Sequence, residues 1–176
     1  MFALIADIGG TNIRLALVNK DAEILFAGHY KCSNYPSLSA VIKEYLTTLK
    51  VQPKHAVIAV AAAIMGDHIV MTNHSWEFSI SKLAIELNLD SLKIINDFEA
   101  QAMAVEHLST ADIKVIHGEI FEESVCRNIA GPGTGFGNAL LYQKNGAWNI
   151  LPTEAGHFVI GSCSPLEDEI FKHVKM

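Results

Sequence analysis

The chain has 176 residues, half of them hydrophobic and 18% charged, with a net charge of −6. That is material for one large globular domain or one and a half ordinary ones, not for a disordered chain. No basic stretch exists to engage nucleic acid, and no run of about 18 apolar residues exists to cross a membrane. The cysteines, Cys32, Cys126 and Cys163, are odd in number, far apart and without CxxC spacing, so reduced thiols in a reducing compartment are expected. The opening MFALIADIGG has no basic leader and its apolar run stops at Asp7, which reads as a buried strand and not a signal peptide.

Taken in order, 2–6 is an apolar strand closed by Asp7 and Gly9-Gly10, 13–18 a second strand, and 23–30 a third after the polar turn 19–21. Strand, glycine turn, strand, polar turn, strand is an antiparallel meander. Ser37 then opens a helix with Leu38, Val41, Ile42, Tyr45, Leu46 and Leu49 at helical spacing. The nearly all-apolar 55–64 predicts a strand buried on both faces. Gly66-Asp67 turns the chain into a short strand over 68–72. A helix capped by Ser79 follows to Leu87, then a strand over 91–95, and Asn96-Asp97 start a helix running to about Leu108. The stretch 109–124 is expected as a connector with one strand. The opening pattern then returns: strand 125–130, glycine turn, strand 138–142, polar turn, strand 147–151. The two copies begin about 120 residues apart and read as the openings of two related lobes, 1–108 and 109–176. After the second copy only a short helical start over 165–173 follows, so the second lobe is expected to be truncated.

Four motifs carry chemistry. In Asp7-Ile8-Gly9-Gly10-Thr11-Asn12 a glycine pair lets backbone N–H groups approach an anion, Asp7 can hold Mg²⁺ through water, and Thr11 or Asn12 can reach phosphate oxygens. The plain alternative is a tight hairpin with a capping Asp. No Walker GxxxxGK[ST] is present. Gly131-Pro132-Gly133-Thr134-Gly135-Phe136-Gly137 is out of register for GxGxxG, which leaves a hairpin facing phosphate or glycines kept for packing or flexibility. Asp97 follows a buried strand at a helix N-terminus, where the charged carboxylate is favoured and can accept a hydroxyl proton; against this, Asn and Asp are also ordinary caps. Glu154 and His157 in Glu154-Ala155-Gly156-His157 can hydrogen-bond sugar hydroxyls or sit in a surface loop. His74 in Thr72-Asn73-His74-Ser75-Trp76 is expected to be structural, with Trp76 near a sugar face.

In their order, DIGGTNIRLAL, TNHSW, IINDFEAQAMA, GPGTGFG and LPTEAGH resemble the bacterial glucokinase family of the hexokinase and actin-like ATPase superfamily. The resemblance implies two ribonuclease H-like α/β lobes, the first with a mixed five-stranded sheet, the second only begun here. It implies ATP and Mg²⁺ as cofactors, and glucose in the cleft phosphorylated to glucose 6-phosphate. It assigns Asp7, Gly9, Gly10, Thr11 and Asn12 to the first phosphate loop, with Asp7 an indirect Mg²⁺ ligand, and Gly133, Thr134 and Gly135 to the second. Asn96, Asp97, Glu154 and His157 would bind glucose, with Asp97 as the base for the 6-hydroxyl. A cytoplasmic, homodimeric parent without nucleic-acid or membrane partners is implied as well.

The chain departs from the family pattern in places. Ala62-Ala63-Ile64-Met65 stands where a proline often precedes the Gly66-Asp67 turn, and LPTEAGH has Thr153 and Ala155 where small or glycine residues are usual. The zinc-binding cysteines of the related ROK group are reduced to Cys163, so zinc is not implied. Family members are longer than this chain, so the fragment alone is expected to be inactive or nearly so. The competing readings are a non-catalytic sugar-sensing module on the same fold, and an actin-like ATPase with no sugar site.

Overall fold

In the computed structural model, which describes residues 2–72, 74–118, 125–132, 136–153, 155–158 and 161–174, the apolar opening becomes strand β1 (Phe2–Ile8). The Gly9-Gly10 turn reverses the chain into β2 (Asn12–Asn19), and a polar turn reverses it again into β3 (Ile24–Lys31). Asn19 shapes that second turn, its Oδ1 accepting from the N–H groups of Asp21 and Glu23. Helix α1 (Leu38–Leu49) starts at Ser37, whose hydroxyl accepts from the Ala40 N–H, and ends on Lys50 in the left-handed conformation. Then come β4 (His55–Val60), the hairpin β5 (His68–Val70) and β6 (Glu77–Ser79), α2 (Ile80–Glu86), β7 (Ser91–Asn96) and α3 (Asp97–Val105).

β1, β2 and β3 are antiparallel, and β4 and β7 add parallel to β1, so one mixed sheet runs β3-β2-β1-β4-β7. This is the expected ribonuclease H-like lobe. The side-chain period of two puts Leu4 and Ile8 of β1, Ile13, Leu15 and Leu17 of β2 and Ile58 and Val60 of β4 on one face. Against them α1 buries Leu38, Val41, Ile42, Tyr45 and Leu46, the stripe read from its periodicity. Each such fully buried aliphatic side chain contributes about 1.5–3 kcal/mol.

The other face differs from expectation. β4 ends at Val60, not at 64, and Val57 is 40% exposed, so this strand is not buried on both faces. The chain turns away where the Ala62 N–H bonds back to the Val60 carbonyl. β6 was not foreseen; three residues are too short for a periodic signal. α3 ends at Val105, short of Leu108. No strand occurs over 109–118, and the rest of that expected connector, 119–124, lies outside the described residues.

The returning pattern forms β8 (Cys126–Pro132), β9 (Phe136–Lys144) and β10 (Ala147–Thr153), a second antiparallel sheet ordered β10-β9-β8. It repeats the β3-β2-β1 meander. α4 (Pro165–His173) follows, capped by Ser164. α3 packs on β4 and β7 on one side and on all three strands of the second sheet on the other.

Candidate active site

The Gly9-Gly10-Thr11-Asn12 turn is held from behind. Its Gly9 N–H donates to the Asn12 carbonyl at 2.9 Å, and the Cys32 N–H donates to the Thr11 carbonyl at 3.0 Å. Lys31 Nζ donates to Asn12 Oδ1 at 2.6 Å. Among the described residues the N–H groups of Gly10 and Thr11 have no acceptor, and Thr11 is exposed. Two adjacent unpaired N–H groups at a bare turn can receive an anion. Asp7 is adjacent at the end of β1, with its Oδ2 2.6 Å from Arg14 Nη1.

At the far edge of the same sheet, Asn96 caps α3. Its Oδ1 accepts from the N–H groups of Phe98 at 2.8 Å and Glu99 at 3.3 Å, and its Nδ2 donates to the Ala62 carbonyl at 3.2 Å. The capping job open to either residue in the sequence therefore belongs to Asn96. Asp97 is the first residue of the helix, with Oδ1 accepting from the Phe98 N–H at 3.0 Å. A carboxylate there faces the positive end of the helix dipole.

Asp7 and Asp97 line one cleft of ≈ 490 Å³ between the outer face of the sheet and α3. Arg14 and Gln101 line it too, and neither was singled out in the sequence. Arg14 was within reach: a hairpin reversing at Gly10-Thr11 places residue 14 opposite residue 7, as the register has it. Gln101 follows Asp97 by one helical turn, a spacing that becomes informative only once Asp97 is known to face a cleft. Among the described residues no three His, Cys, Asp or Glu side chains converge to hold a metal. Mg²⁺ rides on phosphate oxygens and water and asks the protein for only one or two carboxylates. Asp7 supplies one.

On the second sheet, Gly133, Thr134, Gly135 and Glu154 lie outside the described residues. His157 belongs to a 3-10 turn, Ala155–His157, and its side chain also lies outside them. What holds that turn is described. Thr153 Oγ1 donates to Asn138 Oδ1 at 2.7 Å and accepts from the Ala155 N–H at 3.3 Å. Asn138, buried, donates in turn to Asn128 Oδ1 at 2.7 Å. Gly156 sits against the backbone of Phe136, where a Cβ would fall 1.7 Å from the carbonyl oxygen. Trp76 is 6% exposed in the core of the first sheet, with the His74 ring edge-on at 4.6 Å, so it does not present a face to the cleft.

Residues 4–176 match the family model described as Glucokinase. A glucokinase of Yersinia enterocolitica is 44% identical over 170 residues, covering 96% of this chain and 53% of that relative. A glucokinase of Colwellia psychrerythraea is 42% identical, covering 98% of this chain and 53% of the relative. Among solved structures, the glucokinase of an Antarctic psychrotroph superposes with a TM-score of 0.81 at 31% identity, over 97% of this chain and 55% of that one. The chain thus spans about half the length of the curated relatives it matches. A match of that extent, on the sheet order expected of the fold, establishes descent: this chain belongs to the glucokinase family.

Proposed function

We propose that the complete protein is an ATP-dependent glucokinase, forming glucose 6-phosphate from D-glucose. The observation that carries this reading is that Asp97, at a helix N-terminus, and Asp7, beside a turn with unpaired N–H groups, line the same cleft in a chain of this family. ATP supplies the phosphoryl group, and Mg²⁺, when bound with it, would offset negative charge. Asp97 accepts the proton of the 6-hydroxyl as that oxygen attacks. Asn96, Glu154 and His157 hold the other hydroxyls of the ring. The N–H groups of Gly10 and Thr11, with Gly9 and Asn12 shaping their turn, face the phosphates from one side. Gly133, Thr134 and Gly135 face them from the other. Asp7 would hold that metal, through water.

We read the lobes, 1–108 and 109–176, as dividing just beyond the end of α3 at Val105, and the irregular chain that follows supports that boundary. In the second lobe Phe158 is 75% exposed, Leu166 67% and Ile170 49%, apolar surface that supports an incomplete lobe. Phosphoryl transfer needs nucleotide and acceptor held together, so the 176-residue chain alone is expected to turn over little or not at all. The parent is read as a cytoplasmic homodimer.

The test is a coupled assay for glucose 6-phosphate on the complete gene product. Turnover with glucose that falls by about 10²–10⁴ in Asp97→Asn, with glucose binding retained, supports the reading. Glucose binding without ATP consumption would favour a sugar sensor instead.

A further inference from the structure

The ring of Phe98 occupies a notch that only glycine leaves open. Gly131 on β8 and Gly137 on β9 stand directly opposite each other in the antiparallel register. A Cβ at Gly137 would fall 1.7 Å from the Phe98 ring, and one at Gly131 3.1 Å from it. Glycine inside a strand weakens it and marks the close approach of another group, and an aromatic ring laid over the bare backbone restores what is lost. Here the ring comes from α3, so the glycine pair is a socket joining that helix to the second sheet. The far end of α3 is tied to the same strand, where Arg127 of β8 pairs with Glu106.

Both tethers lie on one side of the helix. Phe98, Ala102 and Glu106 follow at successive four-residue steps, and Ala102 is fully buried between the other two. Asp97, Ala100, Gln101 and Ala104 form a separate stripe, the one lining the cleft. An α-helix turns about 100° per residue, so the direction in which Phe98 is seated sets the direction in which Asp97 leaves the helix. The Phe98 N–H also binds the Asp97 carboxylate directly.

We propose that Phe98 is a positioning residue, whose ring in the Gly131–Gly137 socket fixes the direction in which the Asp97 carboxylate enters the cleft. This rests on the reading of Asp97 as the base for the sugar hydroxyl. Two of the four alternating glycines then serve packing. Misplacing a reacting group by about 1 Å costs on the order of 10²-fold in rate.

The test uses the complete gene product. Phe98→Ala is expected to lower kcat for glucose phosphorylation by roughly 10–100-fold. The glucose dissociation constant, from tryptophan fluorescence without nucleotide, should stay within about threefold, a split that general loss of structure does not produce. Phe98→Leu, which keeps more of the buried volume, should fall between Ala and wild type. Gly137→Ala should cost a similar factor in the wild-type background but less than about threefold in Phe98→Ala, because the ring its Cβ meets is gone. Phe98 variants with wild-type kcat, additive effects of the two substitutions, or losses of kcat and glucose affinity in step would each overturn the inference while an active wild type leaves the kinase reading intact. A wild-type protein that phosphorylates no hexose would overturn both.

Discussion

The thiol of Cys32 donates to the Gly9 carbonyl at 3.3 Å, pinning the Gly9-Gly10 turn to the start of the segment after β3. Cys32 is 1% exposed, and burial pushes its pKa up, which retains the proton that this bond needs. On the 176-residue chain a chromogenic disulfide should therefore label the exposed Cys126 and Cys163 quickly and Cys32 only after unfolding. Rapid labelling of all three would mean that the turn opens on its own. In the complete protein Cys32→Ala should cost about 1–3 kcal/mol in denaturant unfolding and raise the KM for ATP more than that for glucose.

Asn96 performs two structural jobs, accepting from the first turn of α3 and donating to the Ala62 carbonyl. Asn96→Ala should lose both, at a cost of about 1–2 kcal/mol in urea unfolding, and weaken glucose binding. Asn96→Asp keeps the acceptor and loses the donor, so its stability should fall between the two. Equal stability for all three proteins would mean that the cap is not needed.

Arg14 and Asp7 are 63% and 46% exposed, and an ion pair that open contributes about 0–1 kcal/mol. Arg14→Gln should barely move the melting temperature. Because both residues line the cleft, the same substitution should raise the KM for ATP; an unchanged KM together with a large fall in melting temperature would make the pair purely structural.

Gly156→Ala would drive a methyl group into the Phe136 carbonyl oxygen, and backbone cannot yield as a side chain can. The turn bearing His157 should shift, and glucose affinity should drop by about 5- to 30-fold, the equivalent of a displaced contact of about 1–2 kcal/mol. Thr153→Val, which removes the hydroxyl bridging Asn138 and Ala155, should give a smaller loss in the same direction. Calorimetric titration with glucose would rank the two, and wild-type affinity in Gly156→Ala would detach this turn from the sugar site.

Asp67 accepts from the Ser79 and Ser81 hydroxyls and the Ser81 N–H, bonds that hold its carboxyl below the usual value of 3.8, the Ser79 hydroxyl most of all. A lowered folded value means that the unfolded chain binds the proton more readily. The contribution is complete above about pH 4 and is lost as the pH falls through the folded value. Asp67→Asn should therefore flatten the decline in melting temperature below about pH 4 while changing little near pH 9 beyond a constant offset. A parallel decline in both proteins would remove Asp67 from the acid response.

Much of the site was legible because its residues act over short stretches of chain. The Gly9-Gly10 reversal, the cap at Asn96 and the α1 stripe from Leu38 to Leu46 follow from turn chemistry and periodicity, which neighbouring residues settle among themselves. The exposure of Val57 was not legible, because an apolar run has the same composition whether one face or both are covered. Nor was the buried position of Trp76, whose loop reads the same beside a cleft or a core.

The order of motifs along the chain determined its descent, and the alternation of apolar residues determined the strands that carry them. Which residues meet was decided in three dimensions. Asp7 and Asp97 share a cleft only because β4 lies between β1 and β7 and α3 folds back over that face. Cys32 reached the Gly9-Gly10 turn, and Phe98 the paired glycines, by the same kind of long-range packing. Such contacts depend on the register and twist of whole sheets, and residues so distant in sequence leave no local pattern by which to find each other.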